Sequence, residues 1–219
     1  MTFKTVKKAA IKSSESQGAS IKESGVYVGK LDMVTLETYE SGSQAVRFEF
    51  KTPDERKAFF NVFVTDKSGN ETFGAGMVQS LAHLFGLKEF DYVKKMVDVY
   101  DYTSKLNIVK ELNVFDCFLN KMVGIIVQKE LSIYKGELKD KLNLLGFYDA
   151  STMLTANEMI QGKVEPKTVK QKIAWLEQNP VKDKRGATPA PPAPPAPPAA
   201  RGASQQAYQA DDLDDDIPF

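Results

Sequence analysis

Residues 25–65 read GVYVGKLDMVTLETYE (25–40), SGSQ (41–44), AVRFEF (45–50), KTPDER (51–56) and KAFFNVFVT (57–65), three apolar runs separated by turn residues. In the second apolar run Val46, Phe48 and Phe50 alternate with Arg47, Glu49 and Lys51. A period of two sends one face of a strand into a core and the other into water. Ser41-Gly42-Ser43 and Pro53-Asp54 supply turn chemistry between the runs, so three extended segments follow one another as a β-meander. In the third, Phe59 and Phe63 have the opposite parity from Phe60, Val62 and Val64. One set therefore faces the core, and the other faces out beside Asn61 and Thr65.

Downstream, Lys67-Ser68-Gly69-Asn70 is a turn leading into a short extended piece, Glu71 to Phe73. After Gly74 the spacing becomes helical: Met77, Val78, Leu81, Leu84 and Phe85 share one face, and Gly86 is placed to end the helix. Residues 88–120 mix aromatics with charge and have no clean period; they are expected to form an irregular or helical insertion. Two strands, MVGIIVQKELSIY (122–134) and KLNLLGFYD (141–149), bring the expected number to five. Short helices over Thr155–Glu158 and TVKQKIAWLEQN (168–179) close the body, with Ile173 and Leu176 docked on it and Trp175 beside them. Upstream, residues 1–24 form a basic arm in which Lys4, Lys7, Lys8 and Lys12 precede the first acidic residue, Glu15.

A chain of 219 residues, 42% hydrophobic and 26% charged, supports one globular core with attachments. The expected organisation is a basic arm (1–24), one folded domain (25–180), a linker (181–210) and an acidic tip (211–219). The formal charge of zero conceals two unlike segments. Apart from the five aspartates of the tip, residues 1–210 carry 29 cations against 24 carboxylates, a net of +5. Only four of the cations are arginine; lysines act as point charges more than as planar forks for base edges, which suits polyanions of any sequence.

A single cysteine, Cys117, allows no internal disulfide and no multi-cysteine zinc site, and fits a reducing cytoplasm. A single histidine, His83, rules out histidine-pair metal sites. No apolar run approaches the roughly 20 residues of a membrane span, and the basic N-terminus has no apolar signal core. Asp91, Asp98 and Asp101 have no distinguishing metal-site spacing, and no G-x-x-x-x-G-K-[ST] loop occurs. The expectation is a protein that is not an enzyme and needs no cofactor or metal.

Seven of the eleven prolines lie between Pro189 and Pro198, a polyproline II spacer whose dozen residues reach about 37 Å at ~3.1 Å each. The Gly-, Ser- and Gln-rich stretch after it adds flexible length. The chain then ends in Asp211, Asp212, Leu213, Asp214, Asp215, Asp216, Ile217, Pro218 and Phe219. A terminal Phe with a free carboxylate serves no core. Its ring suits an apolar pocket, its carboxylate a cation there, and the aspartates a basic rim, as in a docking peptide.

This acidic tip, with its low-complexity linker, resembles the C-terminal tip of bacterial single-stranded DNA-binding proteins, although Leu213 stands where an aromatic is common. The folded part more closely resembles the single-stranded DNA-binding proteins of tailed bacteriophages, through Gly25-Val26-Tyr27-Val28-Gly29-Lys30 and Phe73-Gly74. That resemblance implies a mainly β OB-fold: a five-stranded barrel with a helix between strands three and four, added helices and a disordered C-terminal tail. It also implies the cytoplasm of an infected bacterium, single-stranded DNA as ligand, and host or phage replication, recombination and repair proteins as partners of the tip. No membrane partner is implied, and self-association is left open.

An OB barrel holds single strands by stacking bases on exposed aromatics beside a track of cations. On this ground Tyr39, Arg47, Lys51, Phe59, Phe63, Tyr134 and Lys135 are the candidate DNA-binding residues, and Asp211, Asp212, Asp214, Asp215, Asp216, Ile217, Pro218 and Phe219 form the protein-binding tip. The alternative is a decoy that occupies host proteins through the tip and binds no DNA. Exposed aromatics beside lysines would separate the two. The tethered aspartates are also expected to compete with DNA for the basic face at low salt.

Overall fold

A computed structural model describes residues 20–101, 106–134 and 136–185. The protein is mainly β, with eight strands joined in one sheet. Strands β1 (Gly25–Thr38), β2 (Gln44–Lys51) and β3 (Lys57–Thr65) form the expected antiparallel meander. Register stacks the alternate apolar residues into rows: Val34, Phe48 and Phe60 in one, Leu31, Phe50 and Ala58 in the next. All six are buried.

Thr72 caps helix α1 (Phe73–Leu84) by accepting a hydrogen bond from the Gly74 amide, and its own hydroxyl donates to the Phe63 carbonyl. The expected extended piece before α1 is reduced to a single bridge between Thr65 and Glu71, and Phe73 already belongs to the helix. Val78, Leu81, Ala82 and Leu84 close one end of the core, and Gly86, at φ +68°, turns the chain away in the left-handed conformation that glycine tolerates best.

Residues 88–120 correct the sequence-based expectation. They contain a β-hairpin, β4 (Val93–Asp101) and β5 (Leu106–Val114), followed by a 3₁₀ turn at Asp116–Phe118. The hairpin joins the body at its base, where Asn113 and Val114 pair with Leu36 and Thr35 of β1. Most of it is exposed on both faces, so no buried side imposes the alternation that marks a strand in sequence. The aromatics of this region do enter the body: Phe90, Phe115 and Phe118 cluster with Phe85 at ring separations of 5.3–6.1 Å.

Strands β6 (Met122–Tyr134) and β7 (Glu137–Tyr148) form the second long hairpin. The first residues of β6 also pair with Gly25–Lys30 of β1. Helices α2 (Ala156–Ile160) and α3 (Lys167–Gln178) follow, and β8 (Val181–Asp183) lies parallel to β6. Val169 and Leu176 of α3 pack with Ile126 and Tyr148 in a small second cluster; Ile173 joins it, while Trp175 stays half exposed. Eight strands thus replace the five expected, the additions being β4, β5 and β8. Among the described residues β3 and β7 lie side by side without a ladder between them, so the sheet is open there. No helix among these residues is long and apolar enough to cross a membrane.

Candidate nucleic-acid interface

The outward set of β3 is Lys57, Phe59, Asn61 and Phe63. Phe59 and Phe63 are 47% and 48% exposed, whereas Phe60 between them is 4%. On β2, Arg47 stands opposite Asn61 and Glu49 opposite Phe59. The Arg47 guanidinium sits 5.7 Å from the Phe59 ring centroid, and it lies 3.6 Å from Glu37 and 3.8 Å from Glu49. These contacts are half exposed and loose, so the cation is placed without being sequestered. Tyr39, in the turn after β1, packs its ring 5.4 Å from Phe63. Its hydroxyl donates to Glu37 and accepts from the Asn61 amide, each at 3.4 Å. Burial, followed by the charge of Glu37, pushes the Tyr39 phenol above its ordinary value, which keeps it a neutral donor.

Three grooves meet at Phe59. The largest, about 680 Å³, runs between β3 and β7 and is lined by Phe59, Phe63, Phe73, Arg47 and Lys141, with no carboxylate in its wall. A second, about 380 Å³, collects Lys22, Lys57, Lys129 and Lys141 against the single carboxylate of Asp140. The third, about 390 Å³, separates the β4–β5 hairpin from the meander and is mixed in charge, with Arg47, Lys57 and Lys110 facing Glu37, Glu49 and Asp98. Aromatic surface and positive charge therefore coincide in the first two.

Lys141 is held in place from below. The buried Glu130 carboxylate takes Lys141 at 3.2 Å, Lys184 at 2.9 Å and the Asn143 amide at 2.8 Å. Burial alone would raise the pKa of Glu130, but these three donors outweigh it and bring it down to about 2. Lys57 is fixed through its backbone: its carbonyl accepts from the Ile21 amide at 2.9 Å, and Ser20 forms a bridge to it. The last residues of the expected basic arm are thus built into the body, with Ile21 in the main core.

Four sequence-derived candidates, Tyr39, Arg47, Phe59 and Phe63, are brought together. Lys51 shares their strand face but lies at the far end of β2, ion-paired with Glu55, and lines none of the three grooves. Tyr134 ends β6, four residues beyond the Glu130–Lys141 pair, or about 13 Å at strand rise. Lys135 lies outside the described residues, as do the tip residues Asp211 to Phe219 and the arm residues before Ser20.

Sequence reasoning missed Phe73, Lys57, Lys141, Lys22 and Lys129. Lys57 was within reach, because it shares parity with Phe59. Phe73 entered only through the Phe73-Gly74 resemblance, and nothing in its spacing marked an exposed ring; it is the first residue of a helix whose apolar face points elsewhere, and it is 85% exposed. Lys141 and Lys129 depend on β7 and β6 coming beside β3, a long-range fact that no local pattern encodes.

Among the described residues, no three His, Cys, Asp or Glu side chains are grouped to hold a metal ion. No protein-family model matches the chain, and no curated protein matches it in sequence.

Proposed function

We propose that this protein binds single-stranded DNA without strong sequence preference across the outer face of β2 and β3, and that it coats exposed strands during phage DNA replication, recombination and repair inside a bacterial host. The observation that carries the proposal is the groove between β3 and β7, where three exposed phenylalanines stand with Arg47 and Lys141 and no carboxylate intervenes. Bases stack on such rings at about 1–3 kcal/mol each, and phosphates follow the lysines of the adjoining groove.

The strand plan supports an OB-fold interpretation. Setting aside the inserted β4–β5 hairpin and the short β8, the hydrogen-bonded order is β3-β2-β1-β6-β7, with α1 after β3. OB-folds are partly open five-stranded barrels that bind oligonucleotides on the face of strands two and three and on the loops after strands one and four. On this reading strands two and three carry Arg47, Phe59 and Phe63, the turn after strand one carries Tyr39, and strand four ends at Tyr134. In the same proposal the acidic tip recruits replication, recombination and repair proteins. The decoy alternative has no use for exposed rings beside cations, so the same groove weighs against it.

Photocrosslinking with a bromodeoxyuridine-substituted single strand tests the placement. Adducts are expected on Tyr39, Phe59, Phe63 or Phe73. Adducts confined to the helices α2 and α3, or none under conditions of saturation, would contradict it.

A further inference from the structure

The strand β4 is the end of the sheet. It pairs with β5 on one side and with no strand on the other among the described residues. Nine residues of free edge, without a proline or a bulge, are what folded proteins usually cover, since the open amides and carbonyls invite another strand. The side chains add to the invitation: Met96 is 66% exposed, and Val93 on the same strand and Val109 on β5 are also exposed.

The charges along the edge say which strand would fit. Lys94 and Lys95 occupy its first half, and Asp98 and Asp101 its second. When two identical antiparallel strands meet about a two-fold axis normal to the sheet, each face stays on its own side and the lysine end of one lies beside the aspartate end of the other. With the axis at Met96, Lys94 stands opposite Asp98 of the second copy, Met96 opposite Met96, and Val93 opposite Val99. Two ion pairs then flank an apolar centre. Lys94 is available for this, because its contact with Glu111 on β5 is 3.4 Å long and more than half exposed at both ends, and Asp98 has no ion pair among the described residues. An in-register parallel pairing sets lysine against lysine, as does an antiparallel one centred on Lys94 or Lys95, and one centred on Val97 forms no ion pair, so the same charges favour the register centred on Met96.

We infer that β4 is a self-association edge, and that two copies of the chain join through antiparallel β4–β4 pairing centred on Met96. The hairpin pairs with the body's sheet at its base and flanks the groove beside Arg47 and Phe59, and the inference stands whether or not that face binds DNA.

A charge swap tests it, using sedimentation of the full chain over a range of concentrations. The wild-type chain is expected to form dimers reversibly. Lys94→Asp and Asp98→Lys each place like charges opposite one another twice, and each should weaken the dimer by roughly tenfold or more. An equimolar mixture of the two variants restores both opposite-charge pairs and should dimerise like the wild type, which also shows that both variants are folded. A wild-type chain that stays monomeric throughout, single variants that associate as well as the wild type, or a mixture no better than its components would each overturn the inference.

Discussion

Phe59 and Phe60 are neighbours in the chain with opposite surroundings, one open to three grooves and the other inside the core. They separate binding from folding. Phe59→Ala is expected to weaken single-strand binding by about 1–3 kcal/mol while leaving the melting temperature nearly unchanged. Phe60→Ala should instead lower stability by about 3–5 kcal/mol, as measured by denaturant unfolding. A second residue-scale prediction concerns Glu158, which caps α2 in a reciprocal capping box and accepts the Thr168 amide at 2.7 Å. Burial pushes its pKa up, but hydrogen bonds from Thr155 and Thr168 prevail and bring it from 4.5 to about 2. The folded value is the lower one. Its stabilising effect is therefore complete above about pH 5 and is lost as the pH falls toward 2, with a size of roughly 3 kcal/mol. Glu158→Gln should be less stable at pH 7, and its stability should fall less steeply between pH 5 and 2. Equal acid limbs for the two proteins in denaturant titrations would contradict this.

At the scale of elements, two glycines two residues apart in α1 have different duties. A Cβ on Gly74 would lie 2.0 Å from the Phe63 carbonyl oxygen, whereas one on Gly76 meets nothing within 4 Å. Gly74→Ala must push α1 off β3 beneath the aromatic groove, and should cost stability of about 1–3 kcal/mol together with single-strand affinity. Gly76→Ala should raise stability by about 0.5–1 kcal/mol through helix propensity alone. Thermal melts of the two variants decide it, and equal shifts would remove the close approach as an explanation.

The legibility of these elements in sequence followed their burial. Strand β3 was readable to the residue, because Ala58, Phe60 and Val62 are packed inward and Phe59, Asn61 and Phe63 are not. The core half of β6 was readable for the same reason: Val123, Ile125 and Val127 are fully buried. Hairpin β4–β5 was not, because solvent on both faces permits Lys94, Met96 and Asp98 on one side and Val93, Lys95 and Val97 on the other. The candidate site was half legible. Parity exposed Phe59 and Phe63, but the cations that complete the grooves come from β6, β7 and the residues before β1, and only the folded sheet brings them together.

For the whole molecule, the charge division read from the chain has a consequence that reaches beyond the body. Residues 1–210 carry the net positive charge and the last nine residues carry five aspartates. Ending the chain at Ala210 is expected to strengthen single-strand binding at low salt, with the advantage shrinking as salt screens both partners. Equal low-salt affinities of the full and shortened chains would show that the tip and DNA do not compete.

Single-strand binding by this face is tested most directly by a fluorescence anisotropy titration of a labelled single-stranded oligonucleotide with the full chain, repeated with duplex competitor, over a salt series, and with the Phe59→Ala/Phe63→Ala double variant. Saturable binding that duplex displaces poorly is expected, with a log–log salt slope of roughly −3 to −4, from about five lysine and arginine contacts at ~0.7 each, and a large loss of affinity in the double variant at every salt concentration. Absence of binding at low salt, or a double variant that binds as tightly as the wild type, would contradict it.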